Sequence, residues 1–531
     1  MKCLAYFGKK LEHLCCNLYK SFKSLIKSSL FVFFYQINPF WIQLAYFLLI
    51  SLLGYLALKI STPRTTSSSS SKIKDIDIFF TSVSATTVSS MSTVEMEAFS
   101  NTQLIIMTTL MLVGGEVFTS MLGLRLERSK FRTPKPKPSN SLELVLVSDS
   151  GLANPKQETH DLESDTNFSS NDTSLKDASM KSLAYVVLVY LLVIHIGGSS
   201  LVAMYTGLIP NARETLTKKG ISVQTFSVFT VVSTFANCGF VPTNENMIVF
   251  KKNSGLLLLL IPLTLLGNTL FAPSLRFLIW VLEKITKRVE YRYILRNTGE
   301  MGYSHLMSSV QSWFLFLTVL GFIVLQLIVF CCMEWNNSQG MDGLSWVEKL
   351  VAVLFQVVST RHSGESVFDL SAISPAILVI FIVMMYLPPY TSFLPVKQQE
   401  EELVPRNGRE RKNEKKTLFQ DLLFSQLSYL VIFIVLICVV EREKLKTDPL
   451  NFNVLNITLE VISAHGNVGY STGYGCARAR QVNPNITSCK DAWFGLVGKW
   501  SNFGKFIIII VMFFGRLKKF SINAGKAWKL S

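Results

Sequence analysis

The chain has 531 residues, of which 49% are hydrophobic and 12% aromatic, and it carries a formal net charge of +16. Long uncharged apolar runs exclude a soluble globular protein and indicate an integral membrane protein. The basic residues flank apolar segments, as the positive-inside rule expects. We therefore expect a lipid bilayer, and not nucleic acid, as the surrounding partner.

Eight runs, taken in chain order, are long or apolar enough to be membrane-spanning helices, each of which needs about 20 apolar residues. They are 40–60, 102–123, 182–206, 255–282, 312–333, 373–391, 422–440 and 500–517. Lysine and arginine clusters precede the first run and follow the second, fourth, sixth and eighth. Both termini and these junctions are therefore predicted to face the cytoplasm. The prolines of "YLPPYTSFLP" (386–395) are expected to end or break the sixth run.

The four remaining junctions, which face outward, share one design: a helix-like piece followed by a turn of small residues. They read "SVSATTVSSMSTVEME", "FTVVSTFANCGFVPTNENM", "LFQVVSTRHSGESVF" and "LEVISAHGNVGYSTGYG". Aligned on the turn, their central residues are Ser90, Gly239, Gly364 and Gly469. A serine precedes the central residue by six positions in repeats one, two and four, and by five in the third. A span–loop–span unit is thus repeated four times.

This repeat divides the chain into segments. Cytoplasmic parts are predicted at 1–39, 124–181 (an insert expected to be disordered), 283–311, 396–421 and 521–531. The repeats are predicted at 40–123, 182–282, 312–395 and 422–520, with pore loops at 78–97, 223–243, 346–367 and 453–473.

The loops are the part of the sequence that points to function. Non-helical backbone at membrane depth is stable only where protein buries it or where it lines a water-filled cavity. Four such loops around one axis would offer backbone carbonyls to an ion, as potassium-channel filters do, and glycine allows the positive φ that this requires. We expect an all-α membrane protein with four membrane–pore-loop–membrane repeats, that is, eight spanning helices and four re-entrant loops around a central ion pore. The alternative is ordinary turns in extracellular connectors.

Seven motifs carry a family resemblance: "SATTVSSMSTVEME", "MLVGGEVF", "FANCGFVPTNENM", "RHSGES", "MYLPPYTSF", "DPLNFNVLN" and "GNVGYSTGYGC". Through them the chain resembles the Trk/Ktr/HKT superfamily of cation transporters, and within it the plant HKT branch. The resemblance implies monovalent cations as the transported partners, no cofactor, no metal beyond Na⁺ or K⁺, and often a homodimer. It also implies that Ser90, Gly239, Gly364 and Gly469 form the selectivity filter. The flanking backbone would come from Val88, Ser89, Asn237, Cys238, His362, Ser363, Asn467 and Val468.

Ser90 occupies the filter position where potassium-conducting relatives have glycine, and the resemblance implies that serine accompanies sodium-selective transport. A Cβ and a hydroxyl restrict the backbone and intrude on the path, which would displace one of the four carbonyl contributors. A neutral exchange of small residues is the alternative.

We predict a sodium-selective, passive, channel-like uniporter of the plasma membrane; a sodium–potassium symporter or potassium-permeable transporter is the alternative function. No catalytic motif such as HExxH, GxSxG or a Walker A loop is present, so an enzyme is not expected.

Several charged or reactive side chains are further candidates. Lys505 and Arg516 lie on nearly one face of the last run, and the resemblance places Arg516 below the filter, where its charge would raise the barrier to cations. The alternatives are a cytoplasmic anchor for Arg516 and snorkelling to the interface for Lys505. Other candidates are an outer vestibule or separately paired carboxylates (Glu95, Glu97, Glu245, Glu365), packing behind the filter (His362, His465), a disulfide or two free thiols (Cys476, Cys489) and glycosylation (Asn336, Asn485).

Overall fold

The computed structural model describes residues 39–64, 73–132, 161–335, 337–392, 426–475 and 492–521. The chain divides into two compact units, residues 1–50 and 51–531. The described part of the first unit is the start of helix Pro39–Ile60, and the second unit holds the remaining elements. The described residues are helical and form no strand, apart from one isolated antiparallel bridge between Tyr474 and Ala492.

The predicted spans correspond, in order, to helices or helix pairs. These are Pro39–Ile60, Asn101–Gly114 with Glu116–Arg132, Asp161–Leu208, Ser254–Leu266 with Phe271–Thr286, Ser309–Glu334, Pro375–Tyr386, Gln426–Val440 and Asn502–Ser521. Within the described residues, three helices are long and apolar enough to cross a membrane alone, and two bent pairs raise this to five if each pair is one span. Pro375–Tyr386 and Leu427–Val440 are shorter apolar helices.

Each predicted pore loop contains a short helix, although the first of these helices begins three residues before its predicted loop. We call Asp75–Thr86, Val223–Ala236, Trp346–Thr360 and Val454–Gly466 the first to fourth pore helices. The last three begin at polar caps, because the side chains of Ser222, Ser345 and Asn453 accept a hydrogen bond from the backbone N–H three residues on. The first instead has Asp75 and Asp77 in its opening turn, where carboxylates favour the positive end of the helix dipole.

Glycines bring the second span of three repeats against the end of its pore helix. A Cβ on any of them would lie about 2 Å from a carbonyl oxygen, so only glycine allows the contact. The pairs are Gly114 with Thr86 (1.9 Å), Gly267 with Phe235 (1.9 Å) and Gly515 with His465 (2.0 Å). In the first two repeats the span also breaks there, with bends of 53° and 84°.

The third repeat uses proline where the others use glycine. Helix Pro375–Tyr386 ends just before Pro388 and Pro389, which confirms the predicted end of the sixth run. Their carbonyls each accept a hydrogen bond from Arg361 Nη2, at 2.6 and 3.3 Å. Arg361 follows the third pore helix directly, so this guanidinium ties the end of the pore helix to the broken span.

The predicted disordered insert at 124–181 is partly helical. Residues 124–132 continue helix Glu116–Arg132, and 161–181 begin helix Asp161–Leu208, so the prediction is wrong for both segments. Arg128 forms two hydrogen bonds to Asp177 (2.8 and 3.1 Å), and Leu124 and Met180 belong to one buried apolar cluster. These contacts extend both helices past the apolar runs. The rest of the insert lies outside the described residues.

Short elements complete the repeats. In each repeat the filter position is followed by a 3₁₀ turn before the next span: Met96–Ala98, Asn246–Phe250, Leu370–Ala372 and Leu496–Lys499. In the fourth repeat this turn is separated from the filter by an insertion. The other helices are Pro210–Lys218, Val289–Arg296, Ser338–Met341 and Arg442–Thr447.

Candidate ion filter

The four predicted filter positions meet in space. Ser90, Gly239, Gly364 and Gly469 all line one cavity of about 230 Å³. The walls of the cavity continue with the segments that follow each filter position, including Val241, Ser366 and Thr472. The predicted flanking residues Val88, Ser89, Asn237, Cys238, His362, Ser363, Asn467 and Val468 are all buried.

Backbone conformation repeats in the loops. All four filter positions have positive φ: Ser90 at 53°, Gly239 at 88°, Gly364 at 67° and Gly469 at 96°. In repeats one, two and four the residue two positions earlier is also left-handed: Val88 at 51°, Asn237 at 57° and Asn467 at 52°. Two of these are asparagine, the side chain that tolerates this region best after glycine. The loops therefore share a left-handed backbone conformation that residues with a Cβ rarely adopt.

The serine that precedes each turn explains its fixed spacing. Its carbonyl accepts a hydrogen bond from the backbone N–H five residues on, the bond that closes a helix with a left-handed residue after its end. The bonds are Ser89 to Ser84 (2.8 Å), Cys238 to Ser233 (2.9 Å), Val468 to Ser463 (3.0 Å) and Gly364 to Ser359 (3.1 Å). In the third repeat the donor is the filter glycine, Gly364, itself. The serine is one residue closer to the filter there, and the residue two positions before the glycine is not left-handed.

The loops contact one another in chain order around the cavity. A Cβ on Gly239 would lie 1.4 Å from the Ser363 carbonyl oxygen, and one on Gly364 would lie 2.1 Å from that of Val468. A Cβ on Gly469 would lie 2.1 Å from the Cβ of Ser90. The ring closes between repeats one and two, where Ser90 Oγ lies 3.3 Å from the place of a Cβ on Gly239. Each filter residue therefore packs against the loop of the next repeat, with no room for a side chain at the three glycines.

Ser90 differs from the glycines through its side chain and keeps their sign of φ. We expected a restricted backbone, yet its φ of 53° stays left-handed, at a cost on the order of 1 kcal/mol for a residue with a Cβ. Its Cβ lies against Gly469, and its Oγ is 3.3 Å from the place of a Cβ on Gly239. Serine therefore adds a hydroxymethyl group between the filter loops of repeats two and four.

Hydrogen bonds between repeats hold the ring from behind. The Tyr470 hydroxyl donates to the Gln356 carbonyl (2.8 Å) and accepts from Gln356 Nε2 (2.9 Å). Asn467 Nδ2 donates to Ser89 Oγ at 2.7 Å. Repeat three is thereby joined to repeat four, and repeat four to repeat one.

Gln356 and Glu460 are functional residues that the sequence analysis missed. Gln356 Oε1 accepts from the backbone N–H of Val367 at 2.9 Å, and Glu460 accepts from the Ser471 hydroxyl. Both lie in pore helices, eight and nine residues before their filter glycines, and both are fully buried. In the sequence each stands between two apolar residues of its pore helix. In the structure each holds the segment that follows the filter position.

The structure separates the roles of the two cations in the last helix. Arg516 is buried and donates a hydrogen bond to the Gly114 carbonyl, at the break of the second span. Lys505 Nζ lies 2.7 Å from Asp77 Oδ1 of the first pore helix, and both side chains are at most 10% exposed. Lys505 thus neither snorkels nor provides an uncompensated barrier charge, because a charge buried in an apolar region needs a partner. Asp77 was not predicted.

The four candidate vestibule carboxylates do not form one set. Glu245 lines the cavity, and Lys219 Nζ bridges Glu97 Oε1 (2.6 Å) and Glu245 Oε2 (2.5 Å). Glu95 is half-buried and 3.4 Å from Asn244 Nδ2. Glu365 is fully buried and accepts from Thr234 Oγ1 at 2.5 Å, so its predicted place in the vestibule is wrong. It follows Gly364 directly and points behind the filter, joining repeats two and three.

The remaining candidates have local roles or lie elsewhere. His362 Nε2 is 2.6 Å from Thr269 Oγ1, and the ring of His465 packs against Phe514, so both lie behind the filter. Asn336, Asn485, Cys476 and Cys489 lie outside the described residues.

Comparison with known proteins identifies the family. The family model TrkH, described as "Cation transport protein", matches residues 39–527. The chain belongs to the TrkH family. The family is one of ion transporters, and this TrkH member is a multi-pass membrane protein that transports cations, as the sequence predicted.

Individual relatives match most or nearly all of this chain. It is 47% identical to "Cation transporter HKT1;3" of Oryza sativa subsp. japonica, over 99% of both chains. It is 52% identical to "Sodium transporter HKT1" of Arabidopsis thaliana, over 89% of this chain and 92% of the relative. The predicted resemblance to the HKT branch is confirmed.

A solved structure supports the fold. The crystal structure of the potassium transporter TrkH from Vibrio parahaemolyticus matches with a TM-score of 0.50 and 12% identity, over 91% of this chain and 83% of that one. The predicted fold of four membrane–pore-loop–membrane repeats is confirmed.

Proposed function

We propose that this TrkH-family protein is a sodium-selective, passive, channel-like uniporter that acts as a transporter and not as an enzyme. Its filter would be the ring of Ser90, Gly239, Gly364 and Gly469. One observation carries the proposal: three quarters of the ring leave no room for a Cβ, whereas the remaining quarter holds the Cβ and hydroxyl of Ser90, next to Gly469 and Gly239.

The hydroxymethyl group makes the four quarters unequal. A large, weakly hydrated ion is best coordinated by a regular ring of carbonyls. Ser90 adds a Cβ and a hydroxyl oxygen to one quarter of that ring. A smaller, partly hydrated ion tolerates such a ring better, and the 52% identity to a protein named sodium transporter supports the same choice.

We propose the plasma membrane as the location, with both termini in the cytoplasm. The proposal rests on the basic clusters at alternate junctions, one of which includes helix Val289–Arg296. The cavity over the filter would then open outward. The homodimer implied by the family resemblance stays a prediction.

Reversal potentials in sodium and potassium baths test the selectivity. Oocytes expressing the protein should give currents whose reversal potential follows external sodium and not potassium. Ser90→Gly should add potassium permeability, whereas Ser200→Gly, at an exposed position of helix Asp161–Leu208, should not. Wild-type currents that follow potassium, or a Ser90→Gly variant that gains no potassium permeability, would contradict the proposal. The first outcome would favour the symporter or potassium-permeable alternative.

A further inference from the structure

A cluster of five polar side chains joins repeats one and two beside the cavity. We call Arg64, Glu97, Lys219, Asn244 and Glu245 the rim clamp. Asn244 and Glu245 also line the cavity over the filter. The function proposed above leaves the clamp unexplained.

Hydrogen bonds between repeats one and two hold the rim clamp together. Arg64 of repeat one donates from Nη1 to the Lys219 carbonyl (3.0 Å) and from Nη2 to the Gly220 carbonyl (2.8 Å). Glu97 and Asn244 exchange two backbone-to-side-chain hydrogen bonds, at 2.9 and 3.0 Å. These hydrogen bonds therefore hold the chain around Lys219 in place independently of the contacts of its side chain.

The Lys219 ammonium lies between two carboxylates. Its Nζ is 2.6 Å from Glu97 Oε1 and 2.5 Å from Glu245 Oε2, and the lysine side chain is only 16% exposed. Burial lowers the pKa of Lys219, but the hydrogen bonds to Glu245 and Glu97 outweigh burial and hold that pKa above its ordinary value. The ammonium is therefore charged at neutral pH.

Carboxylates from two repeats therefore converge on one positive charge. Carboxylate oxygens are also the ligands that Ca²⁺ takes in proteins. We propose that Lys219 is a tethered cation, which occupies a carboxylate site beside the pore mouth and closes it to external divalent cations. The outward placement of this site rests on the proposed function.

Removal of the ammonium should expose the site. In Lys219→Gln two carboxylates remain without their countercharge next to the cavity. External Ca²⁺ should then block sodium current at a concentration roughly tenfold or more below that needed for the wild type. The reversal potential should not change, because the filter is intact, so this test and the Ser90 test fail independently.

Matched variants separate charge from structure. Lys218→Gln removes the neighbouring lysine, which is 72% exposed and pairs with Glu214, and should leave the block unchanged, as should Lys219→Arg. Glu97→Gln combined with Lys219→Gln returns the clamp to its original net charge and should restore wild-type block. If Lys219→Gln does not reach the cell surface, Lys219→Cys can be treated externally with a thiol reagent. A cationic reagent should restore wild-type calcium block, and a neutral reagent should not. Calcium block equal to wild type in the uncharged variants, or no rescue by the double variant, would overturn the proposal.

Discussion

The ammonium of Lys505 and the carboxylate of Asp77 form a buried ion pair at 2.7 Å, although 428 positions separate them in the chain. Asp77 lies in the first turn of the first pore helix, and Lys505 lies in the last helix. The pair therefore joins the first repeat to the fourth and supports the pore helix that carries Ser90.

Loss of one partner of this pair should destabilise the protein. Asp77→Asn or Lys505→Met leaves a buried charge alone, which costs roughly 3–5 kcal/mol, and should lower the Tm of the detergent-purified protein. The double variant Asp77→Leu with Lys505→Met should recover most of the loss. Asp75→Asn is the matched control, because its pair with Lys59 is exposed and solvent-screened pairs of this kind contribute little to stability. Equal losses from Asp75→Asn and Asp77→Asn would contradict this account.

A side chain at a filter glycine should stop conduction. In Gly364→Ala the Cβ would lie 2.1 Å from the Val468 carbonyl oxygen, at a φ of 67°. Backbone on both sides must move, so we expect loss of sodium current with protein still at the cell surface. Gly321→Ala, where no atom lies within 4 Å of the added Cβ, should conduct normally. Wild-type current from Gly364→Ala would show that the ring is not the filter.

The Tyr470 hydroxyl should matter for selectivity. Tyr470→Phe leaves the buried Nε2 of Gln356 without its acceptor, at a cost of about 1–3 kcal/mol. Because this bond joins repeats three and four behind the filter, the sodium-to-potassium permeability ratio should fall. Tyr293→Phe, which removes a hydrogen bond to Glu300 at an exposed site, is the control. An unchanged ratio in Tyr470→Phe would mean that the hydroxyl does not set the filter geometry.

The charge of Arg516 should limit current. If it is the predicted barrier, Arg516→Gln should raise sodium conductance and alter rectification in current–voltage curves normalised to surface protein. Arg516→Lys keeps the charge and should behave more like the wild type. If Arg516→Gln and Arg516→Lys alter conductance equally, the charge is not the barrier. The role of Arg516 would then be the hydrogen bond to the Gly114 carbonyl alone.

The sequence predicted the repeat and the filter because both depend on local chemistry. Apolar runs, flanking charges and a turn at a fixed distance from a serine are visible in each repeat by itself. The same local pattern placed Ser90 in register with Gly239, and the structure gives both residues a left-handed φ.

Contacts between repeats could not be predicted from these local patterns. Glu365 resembles a vestibule carboxylate in sequence, and only the packing of Thr234 from another repeat shows that it is buried. Lys505 likewise has no visible partner within its own helix. The polar start of helix Asp161–Leu208 was also missed, because its composition resembles disorder and the hydrogen bonds of Asp177 to Arg128 of another helix are not visible in its own sequence.

Each quarter of the ring is encoded once, since all four loops belong to one polypeptide. In a channel built from four identical subunits, one change in the gene alters every quarter together. Here a mutation changes a single quarter, and its effect is set by the particular neighbours of that loop. Ion preference in such a protein can therefore evolve in small, separate steps, and a serine codon at position 90 is one of them.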